Sequence, residues 1–181
     1  MKTHILFLQG GGGKSDHEVD AKLVDALQEA IGELYKVHYP LLENESSPDF
    51  GRLKQIEKEI SEIDTSLILV GHSLGASMVL KFLSEHKNQL RIKGIFLLAT
   101  PFWSGNEDWV QGLKLKSNFE NELPKDVPIF FYHCHDDEEI PFSNLDHYLK
   151  KIPWATFREI SNGGHQFRGA SALIAKDIKS I

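Results

Sequence analysis

Residues 71–75 read Gly71-His72-Ser73-Leu74-Gly75. A serine hydroxyl is a weak nucleophile until a base takes its proton, so this string needs partners. Two later segments offer them. His133-Cys134-His135-Asp136-Asp137 runs on into Glu138-Glu139-Ile140-Pro141, and Asn162-Gly163-Gly164 leads into His165. These are the groups of acyl transfer. Ser73 would attack a carbonyl, His165 would take and return the proton, and Asp137 would orient the imidazole and stabilise its charged form. Asp136 competes for the carboxylate role, and the spacing Asp-x-x-Ile-Pro favours Asp137.

The glycines explain why the serine sits where it does. A residue in a sharp strand-to-helix turn takes a strained backbone conformation, and its neighbours two residues away must clear the strand and the helix. Gly71 and Gly75 have no Cβ to collide. A developing oxyanion needs two backbone amides aimed at it. The amide of Leu74 is the first candidate. The second is expected from the loop Gln9-Gly10-Gly11-Gly12-Gly13, with Gly11 as the donor. Gly163-Gly164 lets the chain turn closely and deliver His165.

The elements that must hold these groups alternate along the whole chain. Residues 3–9, 34–39, 66–70, 92–98, 128–133 and 155–160 read as strands, and 17–31, 50–62, 74–86, 106–120, 142–151 and 169–179 as helices. Such alternation predicts an α/β fold, three layers deep, with helices on both faces of a mostly parallel six-stranded sheet. Ile5-Leu6-Phe7-Leu8 and Ile95-Phe96-Leu97-Leu98 are apolar on both faces, as a covered parallel sheet requires. Sites in such sheets lie beyond the carboxyl ends of the strands. The glycine loop, Ser73, Asp137 and His165 each follow a strand.

Composition excludes other classes. A chain of 181 residues with 41% hydrophobic content and a net charge of −6 reads as one domain, residues 1–181, with no nucleic-acid partner. No run approaches the ~20 apolar residues of a membrane span. The single Cys134 and the short apolar N-terminus point to a cytoplasmic protein. Two rival motifs fail on spacing. Gly10-Gly11-Gly12-Gly13-Lys14-Ser15 resembles a phosphate loop, but the first glycine of that motif would fall on Leu8. His133-x-His135-x-Asp137 resembles part of a metal site, but residue 138 is Glu, and the run reads as one face of a strand end. No metal or cofactor is expected.

Strand-end Gln-Gly-Gly, Gly-His-Ser-Leu-Gly, Asp-x-x-Ile-Pro and Gly-Gly-His, in this order, resemble the α/β-hydrolase superfamily. The short length is similar to its minimal members, the small serine hydrolases of the retinoblastoma-binding-protein-9-like kind. The resemblance implies a serine hydrolase acting on a small-molecule ester, thioester or amide through an acyl-enzyme. A non-enzymatic interaction protein on the same fold is the alternative. Many members have His-Gly where this chain has Gln9-Gly10. Between the fourth and fifth strands the chain has room for one helix and no large cap. Trp103 and Trp109 in that stretch are candidate walls of a shallow substrate pocket.

Overall fold

The computed structural model describes residues 2–86 and 91–181. Six strands, β1 (Thr3–Leu8), β2 (Tyr35–His38), β3 (Leu67–His72), β4 (Ile92–Leu98), β5 (Ile129–Cys134) and β6 (Thr156–Ile160), form one sheet in the order β2-β1-β3-β4-β5-β6. All five pairings are parallel. The chain leaves β1 toward β2 and then returns to place β3 on the other side of β1. The order therefore reverses between β1 and β3, where a crevice opens at the strand ends.

Side-chain alternation builds two cores. Leu6, Leu8, Leu69, Leu97 and Phe131 face one side, under α2 (Arg52–Ser61), α3 (Leu74–Glu85) and α5 (Asn144–Lys151). Ile5, Phe7, Val70, Phe96 and Tyr132 face the other, under α1 (Lys14–Ile31) and α6 (Ser171–Ile178). Successive residues of each central strand thus point into opposite buried layers, which is why these strands carry no polar face. Among the described residues no helix is long and apolar enough to cross a membrane.

Two local readings are corrected. The helix α1 begins at Lys14, not at residue 17, because the Asp16 carboxylate reaches back to the amide of Gly13 and caps the first turn. The helix expected over 106–120 is a four-residue α4 (Asp108–Gln111) and a single 3₁₀ turn at Phe119–Asn121. Gly112, which follows α4, packs its backbone against Pro48, where a Cβ would lie 1.9 Å from the carbonyl oxygen. Leu113 and Leu115 then both turn into the core at the spacing of an extended chain.

Candidate active site

Ser73 occupies the turn between β3 and α3 with φ +49° and ψ −120°, a conformation that non-glycine residues rarely adopt. Its neighbours show what holds the strain. A Cβ on Gly75 would lie 2.3 Å from the Leu8 carbonyl oxygen, and one on Gly71 would lie 2.6 Å from Cα of Ala76. The two glycines let α3 start against β1. The amide of Ser73 donates to the Leu98 carbonyl at 2.8 Å, which ties the turn to the end of β4. Among the described residues the amide of Leu74 has no acceptor, as expected at a helix start.

The loop after β1 is clamped from three sides. The Gly10 amide donates to Asp20 at 2.8 Å, and the amides of Gly12 and Gly13 donate to Asp16 at 2.9 and 3.1 Å. The guanidinium of Arg52 donates to the Gly11 carbonyl at 3.0 Å. Gln9, at the position where a histidine is common, brackets the loop by donating to the Gly13 carbonyl and accepting from the Leu42 amide. Among the described residues the Gly11 amide is the one amide of the four glycines without an acceptor. Gly11 has φ +55°, and a Cβ there would strike Asp16.

The third segment carries His165. Its Nδ1 lies 3.0 Å from both carboxylate oxygens of Asp137. Asp137 also accepts from the amides of Glu139 and Ile140 at 2.9 and 2.8 Å, and its carboxylate is fully buried. Burial alone pushes this carboxyl up, but the bonds from His165 and the two amides outweigh it and hold it below the usual range. Asp137 is therefore an acceptor, and Nδ1 of His165 donates to it. Burial pushes the His165 imidazolium down, yet the bond and charge of Asp137, with Glu139 beside it, leave its pKa raised. Asp136 does other work. It accepts from the amides of Gly163 and Gly164 at 3.1 and 2.9 Å and pins the turn that delivers the ring.

Ser73, Leu74, His165 and Gly11 line one cavity of about 450 Å³. Trp103 and Trp109 wall it, in edge-to-face contact with centroids 5.6 Å apart. Trp103 is held by a 2.8 Å bond from its indole N–H to Ser77 on α3. Trp109 is 56% exposed. A second hollow of about 500 Å³ lies along α1 and contains neither Ser73 nor His165. Within the rival metal motif, the His133 ring lies 3.5 Å from the Asp137 carboxylate. His133 donates to the Ile140 carbonyl, and His135 pairs with Glu159.

Sequence reasoning brought Ser73, Asp137, His165, Gly11, Leu74 and the two tryptophans to one region, and the structure has them there. It missed Asp16, Asp20, Arg52 and Glu139. A carboxylate three residues into a helix after a glycine loop is a legible signal for Asp16. Arg52 meets Gly11 across 41 residues, and nothing local announces it.

A serine hydrolase family model matches residues 43–168, which include Ser73, Asp137 and His165. The chain belongs to that serine hydrolase family. No curated protein matches it. Among solved structures it is similar to Est1E from Butyrivibrio proteoclasticus, with 15% identity, coverage of 99% of this chain and 86% of that one, and a TM-score of 0.70. It is similar to a putative hydrolase of the alpha/beta superfamily from Xanthomonas campestris pv. campestris, with 21% identity, full coverage of both chains and a TM-score of 0.67. The thioesterase domain from the curacin biosynthetic pathway is also similar, with 18% identity, coverage of 98% and 91%, and a TM-score of 0.71. At these identities the likeness establishes the fold, that of the α/β-hydrolase superfamily.

Proposed function

We propose that residues 1–181 form one α/β-hydrolase domain that cleaves a small carboxylic ester, thioester or amide through an acyl-enzyme. The observation that carries the reading is the contact of His165 Nδ1 with both oxygens of buried Asp137, beside a cavity also lined by Ser73 and Gly11. With Nδ1 donating to Asp137, Nε2 is the basic edge of the ring. It accepts the Ser73 proton as Oγ attacks the substrate carbonyl. The amides of Leu74 and Gly11, which have no acceptor of their own among the described residues, receive the oxyanion. Collapse of the tetrahedral intermediate breaks the bond to the leaving group, which takes the proton from Nε2. Water then attacks the acyl-Ser73 ester, Nε2 accepts its proton, and collapse returns that proton to Ser73. Trp103 and Trp109 wall the acyl or alcohol side of the substrate. Every proton acceptor and oxyanion donor in this sequence of steps belongs to the chain itself.

The test is covalent labelling. A fluorophosphonate should modify Ser73 alone, and Ser73→Ala should lose both labelling and p-nitrophenyl acetate hydrolysis, by on the order of 10³-fold or more in kcat. A folded wild-type protein that takes no label and hydrolyses no acyl substrate would instead be an interaction protein on a hydrolase fold.

A further inference from the structure

The residue before the nucleophile makes contacts that the proposed mechanism does not use. His72 is 0% exposed, and both of its ring nitrogens are engaged. Nε2 lies 2.9 Å from the His165 carbonyl oxygen. A carbonyl only accepts, so Nε2 carries a proton and donates it. Nδ1 lies 2.9 Å from both oxygens of Asp20 on α1. Asp20 is 2% exposed, and the same carboxylate takes the Gly10 amide at 2.8 Å. The result is an unbroken buried chain of contacts: Gly10 amide, Asp20, His72, His165 carbonyl.

That chain joins three segments distant in sequence. Its links span 10, 52 and 93 residues. Each segment presents one working group. The Gly10 amide belongs to the residue before the Gly11 oxyanion amide, His72 precedes Ser73, and the gripped carbonyl is that of His165 itself. The His72 ring also lies against the His165 ring, with centroids 4.6 Å apart and planes tilted by 46°. A buried ionisable pair is a poor source of stability, because apolar side chains of the same volume serve as well or better. What such a pair does supply is direction, since its bonds are satisfied in one arrangement only.

We propose that Asp20 and His72 are a positioning pair, a buried link that holds the Gly11 amide and His165 in register with Ser73. The inference rests on the roles given to Ser73, His165 and Gly11 above. Neither residue touches the reacting atoms. The link acts on geometry, and misplacing a reacting group by about 1 Å can cost on the order of 10²-fold in rate. Both residues lie at the back of the cavity but are buried at 2% and 0% exposure, and the Trp103 and Trp109 walls are untouched, so the loss belongs to kcat and not to KM.

Three variants test the link: His72→Phe, Asp20→Ala and Asp20→Asn. The first keeps the ring volume and drops both bonds. The second frees the Gly10 amide and Nδ1. The third is the conservative replacement, since an amide oxygen can accept from Gly10 while the amide N–H donates to Nδ1 of a neutral ring that still donates to His165. Each is assayed with p-nitrophenyl acetate, with kcat expressed per fluorophosphonate-titratable serine, alongside its melting temperature. His72→Phe and Asp20→Ala should lose about 10- to 100-fold in kcat with KM within about 2-fold. Asp20→Asn should recover most of that loss. If Asp20→Ala does not fold, His72→Phe against Asp20→Asn carries the same comparison. Retention of kcat within about 2-fold per titratable serine, whatever the melting temperature does, overturns the proposal. So does a loss carried by KM, or an Asp20→Asn variant no better than His72→Phe. A wild-type protein that takes no label at Ser73 brings down the hydrolase reading and this one with it. Normal labelling with unaffected variants brings down only the link.

Discussion

The carboxylate of Glu139 stands 3.6 Å from Nε2 of His165, on the ring edge opposite Asp137. The imidazole thus lies between two carboxylates, one buried and one 63% exposed. Glu139 is one of the charges that hold the His165 pKa above its ordinary value, after the bond and charge of Asp137. The base must be neutral to accept the Ser73 proton. A raised pKa therefore costs activity on the acid side, where the imidazolium persists. Glu139→Gln removes a negative neighbour and destabilises the imidazolium, so the acid limb of kcat/KM should move to lower pH. Since Glu139 is exposed, salt should shift the wild-type limb in the same direction and leave the variant nearly unmoved. A pH–rate profile of both proteins at low and high ionic strength reads this directly. An acid limb that is identical in the two would remove Glu139 from the electrostatics of the site.

The two adjacent aspartates should separate sharply in kinetics. Asp137→Asn puts an amide against Nδ1, where it can favour the wrong tautomer and cannot stabilise the imidazolium, and kcat should fall on the order of 10⁴-fold. Among the described residues Asp136 receives the amides of Gly163 and Gly164 alone, whose bonds hold its carboxyl below the usual range. Asp136→Asn keeps one acceptor for that turn, so its loss should stay within about 10-fold. Steady-state kinetics on the two proteins decide it, and a larger loss at Asp136 would reverse the assignment.

How much of this was readable in advance depended on whether the cause was local. The Ser73 turn announces itself because Gly71 and Gly75 are needed within two residues of it. The Asp137 spacing is local too, since the amides of Glu139 and Ile140 fold back on its carboxylate. The sheet was legible because the central strands carry apolar runs with no polar face, such as Ile5–Leu8, Leu67–Val70 and Ile95–Leu98. The segment 106–120 was misread for a physical reason that the sequence does contain. Leu113 and Leu115 alternate with Lys114 and Lys116, the period of an extended chain and not of a helix. Asp20, Arg52 and Glu139 were silent because each acts across the fold, on a partner brought near only by the sheet.

Arg52 illustrates the long-range class and gives a third prediction. It is 0% exposed at the first position of α2, where the helix dipole disfavours a cation. Its compensation is a fork of acceptors: the carbonyls of Gly11 and Glu43 and the side chains of Asn44 and Gln55. Arg52→Lys supplies a point charge that cannot serve four directions at once. A hydrogen bond from a charged donor contributes about 1.5–3 kcal/mol. Both Arg52→Lys and Arg52→Met should therefore lower the melting temperature, and kcat should fall further than the unfolded fraction explains, because the Gly11 peptide loses its clamp. Equal kcat per titratable serine in the variants and the wild type would make Arg52 structural only.

The last prediction concerns the acyl group. The cavity is about 450 Å³, and among the described residues no cap stands over it beyond the short α4 and the stretch that carries the two tryptophans. Each buried methylene contributes roughly 0.8 kcal/mol, but only while a wall extends alongside it. Within p-nitrophenyl esters, kcat/KM should be best for acyl chains of about two to six carbons and level off or fall beyond. The two walls should behave differently. Trp109 is half exposed and is held against Trp103, so Trp109→Ala should raise KM for the longer members and leave kcat on acetate nearly unchanged. Trp103 is fixed to Ser77 at the start of α3, and Trp103→Ala should move both chain-length preference and KM more strongly. Neither change touches Asp137 or Glu139, so the acid limb set by His165 should stay in place for both. A steady rise in kcat/KM out to long chains, unaffected by either substitution, would mean that the acyl group leaves the cavity by a route these tryptophans do not line.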